Sequence, residues 1–159
     1  MGEDILQEIP DERLPLLANL YKTHQEQAPH AYSLLETCIK WKKQKPNSNY
    51  ITVFGVEDDW LKTGTFIVLM QFSCYDLFVY TLEQSCRTLF RGLLETKKID
   101  WSRRVLWYGV SGRHVSLVED FVRGLGQPNY IVVVTELTVI DRDKAMQFEW
   151  TCPDEVYMG

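Results

Sequence analysis

Proton transfer needs a titratable group placed beside the reacting atom. This chain offers few groups of that kind. Glu57, Asp58, Asp59 and Glu83 each fall where an apolar run ends, so a fold would hold them at strand ends or in turns. Asp58-Asp59 also suits a plain turn, because Asp side chains bond nearby backbone amides. His114 falls in the first turn of a helical pattern. The positive end of a helix disfavours an imidazolium, so a neutral, chemically usable imidazole is expected there. A lone histidine is more commonly structural, and that is the plainer reading of His114. Cys74 and Cys86 have no His or Asn partner in evidence, so a thiol nucleophile has no support. Gly109, Gly112 and Gly124 are isolated and match no nucleotide-binding spacing. Lys40, Lys42, Lys43 and Lys45 crowd one helix end. They read either as an anion-binding patch or, more simply, as solvated cations at the negative end of a helix dipole.

The hydrophobic pattern sets the elements that must position these groups. Two apolar runs, 65–72 (TFIVLMQF) and 75–82 (YDLFVYTL), precede a helical pattern at 85–98. A third run at 104–110 (RVLWYGV) and a second helical pattern at 113–125 follow. Strand, strand, helix, strand, helix describes a sheet with crossover helices packed on it. Before it come an extended segment at 4–9, a helix capped by Asp11 with Leu14, Leu17, Ala18 and Tyr21 inward, and a helix over 29–44. A strand at 50–57 and a turn at 58–64 lead into the run at 65–72, giving a three-stranded antiparallel meander. The helix at 85–98 has Ser85 as candidate cap. It turns Cys86, Leu89, Phe90, Leu93 and Leu94 inward and Arg87, Arg91 and Glu95 outward. Strands 75–82 and 104–110 should be parallel because a helix joins them. Further strands are expected at 129–140 and 146–151, and a loose tail at 153–159.

Composition narrows the function classes. The 159 residues suit one domain, read here as 1–152. Net charge is −5, a weak electrostatic case for nucleic acid. Cys38, Cys74, Cys86 and Cys152 are widely spaced with no C-x-x-C pair, so they read as reduced packing residues of a cytoplasmic protein, with no metal site expected. No apolar run approaches the ~20 residues of a membrane span. The acidic start resembles neither a secretory signal nor a transit peptide, and Leu6 stands where a myristoylation motif needs Ser or Thr.

The element order resembles the GNAT (N-acyltransferase) fold, whose fourth and fifth strands splay to admit acyl-CoA. More narrowly, IPDERLPLLANLYK, YSLLETCIKWKKQKP, VFGVEDDWLKTGTFIVL, KKIDWSRRVLWYGV and SGRHVSLVEDF resemble the N-terminal half of glycine N-acyltransferase-like proteins, especially insect members. Asp100-Trp101 is the most distinctive local feature. The resemblance implies an α/β (α+β) class, with a GNAT-like mixed sheet of about six to seven strands and four helices. It implies acyl transfer from acyl-CoA, a co-substrate rather than a covalently bound cofactor, to a small amine such as glycine. It also implies a second, C-terminal GNAT-like domain carrying the CoA site and base, expected to be missing from this chain. A GNAT-like partner domain or a homodimer follows as partner, and mitochondria as an alternative location.

The superfamily cradles the CoA pyrophosphate on a turn of Gln or Arg, two residues, Gly, one residue, then Gly or Ala. The nearest register is Gln84-Ser85-Cys86-Arg87-Thr88-Leu89, with Arg87 and Leu89 in the small positions and Gly92 too far along to serve. Those side chains should stand where phosphate would lie, or turn inward. An ion pair from Arg87 to a phosphate is a weak substitute. The superfamily's Tyr general acid on the helix after the fifth strand has no counterpart in 113–125. Trp107 and Tyr108 alternate on the fifth strand, one toward the core and the other toward a splay or partner surface. No residue is assigned a catalytic or cofactor-binding role. Two readings follow: a member of the acyl-CoA:amino-acid N-acyltransferase family, or a non-catalytic binding or dimerisation module with a degenerate CoA loop.

Overall fold

The computed structural model describes residues 3–46, 48–126 and 142–147. The chain divides into two compact units, residues 1–129 and 130–159. The first is built on a five-stranded sheet of β1 (Leu6–Glu8), β2 (Ile51–Val56), β3 (Phe66–Gln71), β4 (Tyr75–Tyr80) and β5 (Val105–Tyr108), side by side in chain order. β1 to β4 are antiparallel and β5 is parallel to β4. Link length dictates this: three residues join β3 to β4, enough for a reversal, whereas the β4–β5 link holds a helix. The helices of this unit are α1 (Leu14–Lys22), α2 (Pro29–Gln44), α3 (Trp60–Thr63), α4 (Arg87–Glu95) and α5 (Val115–Gly124). The second unit contributes α6 (Arg142–Met146). The protein is thus a mixed α+β structure, and no helix among the described residues is long and apolar enough to cross a membrane.

Strand alternation gives the sheet two buried faces. Val53, Phe66, Val68 and Tyr80 pack under α1 and α2, which supply Leu14, Leu17, Tyr21, Leu35 and Cys38. Val56, Ile67, Leu69, Leu77 and Val79 pack under α4 and α5, which supply Leu89, Leu93, Val118, Phe121 and Val122. At ~1.5–3 kcal/mol for each fully buried large apolar side chain, these two layers are the main source of stability.

Several expectations change. The six to seven strands and four helices become five strands and six helices among the described residues. The strand expected at 129–140 lies outside the described residues, as do 148–151 and the tail at 153–159. Met146 closes α6 instead of opening a strand. The turn at 58–64 contains a short helix, α3, because Trp60 is buried (4% exposed) beneath the Arg13 guanidinium, 4.9 Å from its ring centroid. Asp11 does not cap α1: a 3-10 turn at Asp11–Arg13 intervenes, and the carboxylate reaches Lys42 Nζ at 2.8 Å. The helix expected at 85–98 spans only Arg87–Glu95, since Asp4 captures the Thr96 hydroxyl and the Lys97 amide. Leu94, expected inward, is 57% exposed; α4 lies so close to the sheet at Gly92 that its contact line runs through Leu89, Gly92 and Leu93.

Candidate functional site

The ladder between β4 and β5 ends at the pair Phe78–Tyr108, while β4 continues to Tyr80. β5 breaks at Gly109, whose φ of +67° is open to glycine at low cost. Any Cβ there would collide with the Tyr80 hydroxyl, so the phenol occupies the place where the strands part. Tyr80 stacks on Phe66 at 5.1 Å, and burial pushes its phenol up to about 12. It is a neutral hydrogen-bonding group at ordinary pH, unsuited to accept a proton. Beyond it, the Thr81 hydroxyl bonds buried Thr65 Oγ1 at 2.8 Å and accepts the Glu83 amide at 3.2 Å, which fixes the turn into α4.

At that turn the structure corrects the expected cap. Ser85 does not cap α4. Cys86 precedes the helix in the left-handed region, φ +53°, and Glu83 folds back over the first turn. The Thr88 amide donates to Glu83 Oε2 at 3.2 Å, and the Thr88 hydroxyl donates to Glu83 Oε1 at 2.9 Å. A carboxylate at the positive end of a helix is favourable on both hydrogen-bond and dipole grounds. Leu89 is fully buried, so it does not stand at the helix entrance; Arg87 is exposed there. The group that meets the Thr88 amide in the first turn is therefore the chain's own Glu83. A capping signal was present, an acid ahead of an apolar helix, but Ser85 lies nearer the pattern's start and drew the assignment.

The other candidates are held in separate local contacts. Glu57, left-handed at φ +59°, pairs with Arg91 Nη1 at 2.5 Å, and Arg91 Nε lies 3.4 Å from Glu95. The Asp59 carbonyl accepts the amides of Lys62 and Thr63, so the Asp58-Asp59 pair starts α3. His114 is buried (2% exposed) in a 3-10 turn leading into α5. Cys74 Sγ sits 3.9 Å from Asp76 Oδ1, and burial pushes the Cys38 thiol up to about 11. Trp107 faces the core between Trp101 and Phe121, whereas Tyr108 stacks on Phe78 across the opposite face and is 42% exposed. Of the lysine run, Lys42 is not solvated: its side chain is 13% exposed and pairs with Asp11. Among the described residues no cluster of three His, Cys, Asp or Glu could hold a metal.

The fold is similar to the X-ray structure of a Drosophila protein determined by the Northeast Structural Genomics Consortium, with a TM-score of 0.69 and 19% identity. The match covers 78% of this chain and 46% of that one, so this chain spans about half the relative's length. At that identity the likeness shows the fold. No curated protein matches the sequence. Residues 5–121, which carry the five described strands, α1 to α4 and the first part of α5, match one family's sequence model, and the chain belongs to that family, the Domain of unknown function DUF5645.

Proposed function

We propose that this chain is a GNAT-like domain of the glycine N-acyltransferase-like kind whose CoA cradle is filled from within, so that it serves acyl transfer as a non-catalytic binding or dimerisation module. One observation carries this reading: the Glu83 carboxylate takes the Thr88 amide at the entrance to α4, where a pyrophosphate would need free donors. A bound diphosphate would have to displace an anion already neutralised by the same helix end. The antiparallel meander followed by a parallel fifth strand supports the GNAT-like part of the reading. The half-length match to the Drosophila structure is what one of two tandem halves would give.

Autonomous acyl transfer is the second reading, and exposed Arg87 beside the same turn is what favours it. Thermal unfolding with acetyl-, butyryl- or benzoyl-CoA separates the two. Ligand at about 100 times its Kd would stabilise a competent fold by ~2.7 kcal/mol. No shift is expected at millimolar CoA ester. A clear shift that Arg87→Ala abolishes would refute the filled cradle and favour the catalytic reading.

A further inference from the structure

A cleft of about 700 Å³ opens where β2 begins and β3 ends, beside the departure of β1 at Pro10. Small-ligand sites commonly measure about 300–1,000 Å³. The cleft holds both signs of charge, but they answer one another: the Lys42 ammonium lies 2.8 Å from the Asp11 carboxylate and 3.7 Å from that of Glu8. Only 13% of the Lys42 side chain is exposed, so an ionic ligand that drew its partners away would strand a covered charge. The pairing still leaves hydrogen-bonding capacity. A carboxylate has about four acceptor positions, and both of these are more than half exposed, so hydroxyls can donate to them without disturbing the lysine. Asn49, Thr52 and Gln71 line the same cleft with uncharged donors and acceptors.

Two aromatic rings stand at its rim. Tyr50 lies between the lining residues Asn49 and Ile51. Phe72 follows the lining residue Gln71, whose amide donates to the Tyr50 carbonyl at 2.8 Å. The rings stack, with 6.1 Å between centroids and 17° between planes, yet Tyr50 is 61% and Phe72 48% exposed. Neither belongs to the core on either face of the sheet. An exposed apolar patch bordered by polar groups marks a ligand groove. Mutual stacking already orders both rings, so little side-chain freedom is lost when a ligand settles on them.

An uncharged body, dense in hydroxyls and carrying a flat C–H face, meets every one of these features. An apolar peptide would leave the polar lining unpaired. We propose that the cleft and its aromatic rim bind a neutral saccharide. A pyranose C–H face lies on Tyr50 and Phe72, and the hydroxyls turn to Asn49, Thr52, Gln71 and the carboxylates of Glu8 and Asp11. The cleft is at the end of the sheet opposite the parting of β4 and β5, so the site stands or falls independently of the CoA reading.

Cellobiose, maltose and N,N′-diacetylchitobiose are suitable probes, each titrated at millimolar concentration into the whole chain while backbone amide chemical shifts are followed. At least one is expected to give saturable shifts centred on Asn49, Thr52, Gln71 and Phe72. Sorbitol keeps the hydroxyls without the ring face, and cyclohexanol keeps a ring with a single hydroxyl; each should bind about tenfold more weakly. Tyr50→Ala and Phe72→Ala should each weaken the best disaccharide about tenfold. The rings lie outside both cores, so melting temperatures close to the parent's are expected. Asn49→Ala, at an exposed position away from the rings' own stack, removes one hydrogen-bonding partner and should weaken binding in the same direction. No saturable shift from any of the three disaccharides, equal binding of sorbitol, or undiminished binding in the ring variants would overturn the proposal.

Discussion

The Asp4 carboxylate gathers three donors, one two residues away and two more than ninety residues away. Oδ1 accepts the Leu6 amide and the Thr96 hydroxyl, each at 2.9 Å, and Oδ2 accepts the Lys97 amide at 2.8 Å. Burial by itself would raise this carboxyl, but the three hydrogen bonds and the nearby Lys98 charge outweigh it and hold it below the usual Asp range. A folded pKa below the unfolded one gives stability that is complete above the unfolded value, near 3.8, and is lost as pH falls through the folded value. Asp4→Ala is therefore expected to cost about 1–2 kcal/mol at neutral pH, with the gap to the parent chain narrowing as pH falls below 3.8. Urea unfolding of both chains at neutral pH and in acid checks this; a gap that persists unchanged in acid would remove the carboxylate from the explanation. In the sequence Asp4 is one acid among several near the start, and nothing local marks partners more than ninety positions away. Glu83 differs: its partner Thr88 is five residues on, so the cap was within reach of sequence reasoning and was obscured by a nearer serine.

At the level of elements, α4 shows how packing reverses a propensity. Alanine ordinarily beats glycine inside a helix by about 1 kcal/mol. At Gly92 an added Cβ would lie 2.8 Å and 3.0 Å from the two Val56 methyls on β2, with Leu6 at 3.3 Å behind them. Gly92→Ala is expected to destabilise by about 1–3 kcal/mol as α4 is pushed off the sheet. Gly124→Ala, at the end of α5 with nothing within 4 Å, should be neutral or mildly stabilising. Thermal melts of the two variants give opposite signs if close approach is the cause; a stabilised Gly92→Ala would show that α4 moves freely. The inward stripe of α4 was legible from periodicity at Leu89 and Leu93. The exposure of Leu94 was not, because it depends on how near the helix sits to β2.

Among the described residues, the unit of residues 1–129 rests on one sheet covered on both faces, and both cores lie within it. A chain cut after Asn129 is expected to fold and unfold in one transition, with circular dichroism and tryptophan fluorescence coinciding. Separate transitions would mean that the two sheet faces are not one cooperative unit. The sequence by itself determined the order of the strands and of the longer helices in this unit, the meander, the parallel fifth strand and the inward face of α1. Those features follow from periods of two and 3.6 residues and from link lengths, all written locally. Tertiary structure alone decided that Lys42 is covered beside a cleft, that Asp4 ends α4, and that Tyr80 stands where β4 and β5 part. Each requires groups far apart in sequence to meet at a set distance, and that distance is fixed by how closely the helices settle on the sheet.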